Sequence, residues 1–169
     1  MVYICYSQNL SIKVKSLIGM FECRVDAKGR FLLPSGLKKQ LEKELQEGFV
    51  LKRSVFNSCL ELHTLTEWRG VMRQVNTLNR FVKKNNDFIR LFTSGVRSVE
   101  PDGNARIQIP KDLINYASIE KKIVLASVGN SIEIWDKEKY ESAVNDASLN
   151  FAQLAEEVMG DQPKDKEDE

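Results

Sequence analysis

Apolar and polar positions trade places along this chain in short, regular runs. In "RIQIP" (106–110), Ile107 and Ile109 fall on one side and Arg106 and Gln108 on the other, the period of a half-buried strand. "RFLLP" (30–34) makes a similar extended run. The period then lengthens. "PSGLKKQLEKEL" sets Leu37, Leu41 and Leu45 along one face of a helix that Pro34 can open, because a first-turn residue needs no N–H. "FVLKRSV" and "KIVLASV" are β-rich apolar runs, each followed by Asn-Ser turn residues and an alternating strand, "CLELH" or "SIEIW". Helical patterns follow at about 66–80 and 137–157, and "FVKKNNDFIRLF" adds helix between them.

These elements come in the same order twice. "VDAKGRFLLP" (25–34) and "PDGNARIQIP" (101–110) place Asp26 on Asp102, Arg30 on Arg106 and Pro34 on Pro110, 76 residues apart. Gly19 and Gly95 each precede the Asp by seven residues, and Leu37 and Leu113 each follow the Pro by three. Further on, "SVFNSCLELHTLTEW" (54–68) matches "SVGNSIEIWDKEKY" (127–140) with one residue dropped. Two ordered blocks of this kind indicate a tandem duplication, roughly 19–80 and 95–157. In each copy a turn bearing Gly29 or Gly103 supplies the positive φ that a tight reversal needs. About four short strands and one short helix are too little to bury a core alone. The two copies are therefore expected to interleave about a pseudo-twofold axis into one small barrel, a mainly β fold with short helices (α+β).

The chain has 169 residues, enough for one domain or two very small ones, and no apolar run long enough to span a membrane. "MVYICYSQNLSIKVKSLIG" carries its lysines after its apolar stretch and has no small-residue cleavage site, so it does not read as a signal peptide. Cys5, Cys23 and Cys59 lack paired spacing, and His63 is the one histidine, so neither a metal site nor a disulfide framework is expected. The net charge of +1 conceals an asymmetry: +9 over 1–99, −3 over 100–155 and −5 from Glu156 onward. That split suggests a basic working face and an acidic tail, "GDQPKDKEDE".

Asp26 and Arg30 flank a turn, where a carboxylate and a guanidinium can pair and fix its shape. The pair's simplest role is to pin a hairpin. The first loop, "CRVDAKGR", adds Arg24 and Lys28 to Arg30, and Gly29 lets backbone come close, a composition suited to phosphate and base-edge contact. The second loop keeps Arg106 but has Asn104 in place of Lys28, and Glu100 nearby. The first copy is therefore expected to be the principal anion-binding loop and the second mostly scaffold, built on Asp102, Gly103 and Pro110 as the first is on Asp26, Gly29 and Pro34.

The doubled Asp-x-x-x-Arg with its following Leu/Ile-Pro, in "GMFECRVDAKGRFLLP" and "DGNARIQIP", and the blocks "NSCLELHTLTEW" and "NSIEIWDKEKY", resemble the MraZ family of bacterial transcriptional regulators over about 16–157. The resemblance implies an AbrB-like swapped-hairpin fold in which two half-barrels make one pseudo-dimeric unit. It also implies a ring of chains that binds short direct repeats in double-stranded DNA upstream of division and cell-wall genes. Within the family the contacting residues sit in the first loop, which here means Lys28 and Arg30; charge and proximity add Arg24, and Arg106 is carried as the second copy's counterpart. The organisation expected is an N-terminal extension over 1–15, a first repeat over 16–68, a helical connector over 69–94, a second repeat over 95–140, a C-terminal helix over 141–157 and an acidic disordered tail over 158–169. Cytoplasmic, nucleoid-associated action follows, without cofactor, metal, membrane or small-molecule substrate.

Two other classes compete. An AbrB-type protein-interaction or antitoxin module would need an anchor, and the acidic tail supplies no apolar one. An enzyme would need a catalytic set, and neither a phosphate loop nor a Ser-His-Asp arrangement is present. His63 stands alone, with Trp135 as its counterpart, and is expected to pack at a strand end. Trp68, Tyr140, Phe81, Phe88 and Phe92 could stack bases, but their helical setting favours packing.

Overall fold

The computed structural model of the protein describes residues 16–160, so the expectation for 1–15, and that for the tail over 158–169 beyond residue 160, lie outside the described residues; 158–160 are helical rather than disordered. The first copy runs β1 (Met20–Arg24), β2 (Arg30–Leu32), α1 (Ser35–Gln40), α2 (Glu44–Glu47), β3 (Phe49–Arg53), β4 (Leu60–Thr64) and α3 (Leu65–Asn76). A connecting helix, α4 (Lys83–Phe92), leads to the second copy. That copy runs β5 (Arg97–Val99), β6 (Arg106–Gln108), α5 (Lys111–Ala117), β7 (Lys122–Val128), β8 (Ser131–Asp136), α6 (Lys137–Ser148) and α7 (Phe151–Gly160). The fold is mainly β with short helices, as the periodicities indicate. The helix expected over 137–157 breaks at Leu149 and Asn150, and the one opened by Pro34 ends at Gln40 before a further single turn, α2.

Strand pairing shows how the copies complete each other. The strand order β1-β7-β8-β4-β3-β5 reads the same from either end once the copies are exchanged. Each copy's first strand has crossed to the other copy's third: β1 pairs β7 through Cys23↔Ile123, and β5 pairs β3 through Val99↔Phe49. At the centre, β4 meets β8 with Glu61 opposite Glu133, its own counterpart. A separate two-stranded ribbon, β2–β6, puts Phe31 opposite Ile107, again counterpart to counterpart. Both like-with-like contacts lie on one pseudo-twofold axis.

The sheet is nonetheless open. β1 and β5 are its edges, and no barrel closure by hydrogen bonds is seen among the described residues. The β2–β6 ribbon covers the core instead, and its Phe31 and Ile107, with Leu33 and Ile109 just beyond, are almost wholly buried. These pack with Leu37 and Leu41 of the first copy, Leu113 and Ala117 of the second, and the inward residues of β3, β4, β7 and β8. Leu45 is only partly buried, in keeping with its place on the detached turn.

Two turn assignments are corrected by the backbone. Gly29 has φ +81°, but in the second copy the left-handed position belongs to Ala105 (φ +58°), while Gly103 does not have a positive φ. The position three residues after the Asp is the one that must reverse, whatever residue occupies it. At Gly29 a Cβ would lie 2.9 Å from Ile114 Cδ1 and 3.0 Å from the Ile109 carbonyl oxygen, so glycine is needed there for space as well as for φ. Register also revises the hairpin alignment. Arg53↔Leu60 in β3–β4 corresponds to Ser127↔Ile132 in β7–β8, so the first hairpin is longer by two residues, not one.

The outer face of the first copy's sheet holds an ion pair. Lys52 is 1% exposed, and its Nζ donates to Glu61 Oε2 at 2.8 Å across the β3–β4 pair. His63 Nε2 reaches the same oxygen at 3.2 Å and so carries the proton on that nitrogen. Burial would raise the Glu61 pKa, but the hydrogen bonds from His63 and Lys52 overcome it and bring the carboxyl down to about 2. Phe92 of α4 lies over the Lys52 ammonium at 4.9 Å and stacks on Trp68 at 6.0 Å, so the connecting helix is fastened over this pair. His63 tilts against Trp68, the strand-end packing expected of it. The second copy has Ala126 at the corresponding position, and Trp135 Nε1 donates to Glu133 at 2.7 Å.

Two outcomes follow. Lys52→Ala leaves the Glu61 carboxylate half-buried opposite Glu133 and should cost about 3 kcal/mol in denaturant unfolding, with Lys52→Met/Glu61→Leu recovering much of the loss. Ala105→Gly relieves the left-handed alanine and should raise stability by up to about 1 kcal/mol, read in the same experiment; a lower stability would contradict the turn assignment.

Candidate nucleic-acid interface

The first loop is organised by Asp26. Its Oδ1 accepts the backbone N–H groups of Lys28 and Arg30, both at 2.9 Å. Its Oδ2 accepts Arg30 Nε at 2.9 Å and lies 2.8 Å from the second guanidinium arm, a two-pronged pair at the turn's open side. The Arg30 backbone N–H, and then its side chain, hold the Asp26 carboxyl down at about 2, so the pair stays charged throughout the neutral range. Both residues are solvent-accessible, and their value is geometric: the guanidinium leaves the strand in one fixed direction.

Asp102 repeats only half of this. Its Oδ1 accepts the N–H groups of Asn104 at 2.9 Å and Arg106 at 3.0 Å, and these bonds lower its pKa. Among the described residues the Arg106 guanidinium makes no hydrogen bond or ion pair to it. The second loop therefore keeps the turn and leaves its arginine unheld.

Both arginines stand on one face. Because Phe31 and Ile107 point inward, strand alternation turns Arg30 and Leu32 of β2, and Arg106 and Gln108 of β6, outward. Arg30 lies opposite Gln108, and Leu32 opposite Arg106. The backbones are tied reciprocally. The Ile109 N–H donates to the Gly29 carbonyl at 2.8 Å, and the Leu33 N–H donates to the Ala105 carbonyl at 3.0 Å. Each loop is thus seated on the other copy. Pro34 and Pro110 close the ribbon as N-caps of α1 and α5, with matching φ of −58° and −59°.

Arg24 is exposed at the end of β1, outside the Asp26 network, and is paired in register with Lys122. Its neighbour Val25 donates its N–H to the Lys121 carbonyl at 2.9 Å. The strand exchange thus brings two second-copy lysines beside the first loop's base, which no local sequence pattern reveals. At the corresponding place by the second loop stand Glu100 and Glu47, with Gly48 so close that a Cβ on it would lie 3.2 Å from Glu100 Cγ. One loop base is cationic and the other anionic. Gln108, which alternation places on the outward side of β6, donates its amide Nε2 to the Lys28 carbonyl. The pairing of Arg30 with Gln108 is the signal, and it is visible only when β2 and β6 are set antiparallel. A Cβ added at Gly103 would meet nothing within 4 Å, so space does not require glycine there. Among the described residues no cluster of acidic, histidine or cysteine side chains could hold a metal ion, and no helix is long and apolar enough to cross a membrane.

The chain matches the family described as "MraZ protein, putative antitoxin-like" twice, over residues 17–91 and 92–162, in agreement with the duplication. It is 61% identical over 145 residues to the transcriptional regulator MraZ of Christiangramia forsetii, covering 86% of this chain and 94% of that one. Against the protein of the same name from Flavobacterium psychrophilum the identity is 59% over 147 residues, 87% and 94% of the two chains. For that of Bacteroides thetaiotaomicron it is 34% over 146 residues, 86% and 93%. With the doubled turn, the exchanged strands and these relatives in agreement, the chain belongs to the MraZ family of transcriptional regulators.

Proposed function

We propose that the protein is a sequence-specific DNA-binding regulator whose first loop, through Arg30 and Lys28 with Arg24 at its base, contacts double-stranded operator DNA. The observation that carries this reading is the fixed Arg30 guanidinium on the outward face of a two-stranded ribbon. A ribbon of that kind fits the major groove, where an arginine can bond both guanine acceptors. Lys28, Arg24, Lys121 and Lys122 then suit the phosphates, and Arg106 is a secondary contact from the same face.

One loop binds weakly. Several chains in a ring would bring copies of it side by side, and promoter direct repeats would engage them together, so that avidity replaces a large single interface. The target is proposed to lie upstream of division and cell-wall genes, which makes the protein cytoplasmic and nucleoid-associated. Helix α7 exposes Phe151, Leu154, Val158 and Met159, in keeping with a surface used between chains. The same feature is what favours the second reading, an antitoxin-type assembly module. No catalytic residue, cofactor or small-molecule substrate is assigned.

Footprinting on DNA upstream of the protein's own gene identifies the operator. On that fragment, Arg30→Ala should weaken binding at least about tenfold per engaged loop while the oligomer mass stays unchanged. Lys28→Ala should lower the log–log salt slope by about 0.9 for each phosphate released. Unchanged affinity for Arg30→Ala would rule out the first-loop assignment.

A further inference from the structure

Gln108 belongs to the second copy, yet its side chain reaches into the first copy's loop. Its Nε2 donates to the Lys28 carbonyl and also lies 3.3 Å from the Ile109 carbonyl. A Cβ on Gly29 would come within 3.1 Å of the same nitrogen, so the amide sits directly on the turn. The backbone bond from the Ile109 N–H to the Gly29 carbonyl lies next to it. Together they hold two consecutive carbonyls, those of Lys28 and Gly29, on the residues before Arg30. The other loop has the backbone bond alone, because Leu32 stands where Gln108 would stand and offers no donor. Leu32 is 52% exposed and points outward from the same ribbon.

We propose that Gln108 is a positioning residue for DNA binding: it clamps the Lys28–Arg30 turn from the opposite copy and so makes the first loop, and not the second, the ordered reader. This rests on the first loop being the DNA contact. Asp26 fixes the guanidinium to its own turn, and Gln108 fixes that turn to the frame. With both restraints, the first arginine is presented with little freedom left to lose on binding, whereas Arg106 has neither its carboxylate fork nor an amide clamp. Preorganisation of this kind raises affinity without adding a contact to the DNA.

The test uses the full-length oligomer and the footprinted fragment. Gln108→Leu copies the residue that the ribbon already tolerates at position 32, so the fold should persist. Binding is expected to weaken by about three- to tenfold, the worth of one lost hydrogen bond, with the salt slope unchanged because no phosphate contact goes. In the DNA-free protein, amide exchange over 26–30 should quicken while that over 102–106 stays as it was. Leu32→Gln is the converse and should slow exchange over 102–106 by reaching the Asn104 carbonyl. Unchanged affinity and exchange for Gln108→Leu, while Arg30→Ala still weakens binding, would overturn the clamp and leave the loop assignment standing. Weaker binding with exchange over 26–30 unchanged would overturn it too, making Gln108 a direct contact. If Arg30→Ala binds normally, the underlying reading fails instead.

Discussion

Two backbone hydrogen bonds, Ile109 N–H to the Gly29 carbonyl and Leu33 N–H to the Ala105 carbonyl, join each loop to the strand end of the other copy. Everything else is arranged around that reciprocity. It requires β2 and β6 to run antiparallel with Phe31 opposite Ile107, which turns the apolar side of the ribbon onto the core and the arginines outward. It also requires each first strand to cross to the other copy's sheet, so neither copy has a complete core without its partner. Covalent duplication satisfies this condition in one chain and frees the two halves to diverge.

The divergence has a direction. The first loop has a glycine at its reversal, a lysine before it, a two-pronged carboxylate–arginine pair and an amide clamp from outside. The second has a strained alanine, an asparagine and an arginine whose guanidinium makes no hydrogen bond or ion pair among the described residues. At their bases the charges are opposed, Arg24, Lys121 and Lys122 against Glu100 and Glu47. In the proposed function, DNA approaching this face would meet attraction at one pole and repulsion at the other. The shared residues maintain the frame, and the unshared ones set the two loops apart in charge and restraint.

Much of this was legible in the sequence. Spacing alone exposed the duplication, because Asp, Arg and Pro recur at fixed offsets, and period-2 alternation placed Ile107 and Ile109 inward. Charge differences between the loops set the first apart as the cationic one. What escaped depends on register. Lys52 reads as a polar break in an apolar run until β3–β4 pairing sets it against Glu61, and Gln108 reads as one more outward residue until Arg30 lies across from it. The barrel expected from interleaved strands is an open sheet with a ribbon over it, since local patterns do not say which edges meet. The Gly103 assignment failed because residue type suggests where a positive φ is cheap, while the hydrogen bonds of the turn decide where it is required.

The central claim is that two loops with one backbone design divide into a reader and a support. Photo-cross-linking tests it most directly, with a photoreactive side chain placed at position 28 in one protein and at position 104, its counterpart, in another, each bound to the footprinted fragment. The account predicts adducts within the protected repeats from position 28 and little or none from position 104. Equal yields from both, or a preference for 104, would contradict it.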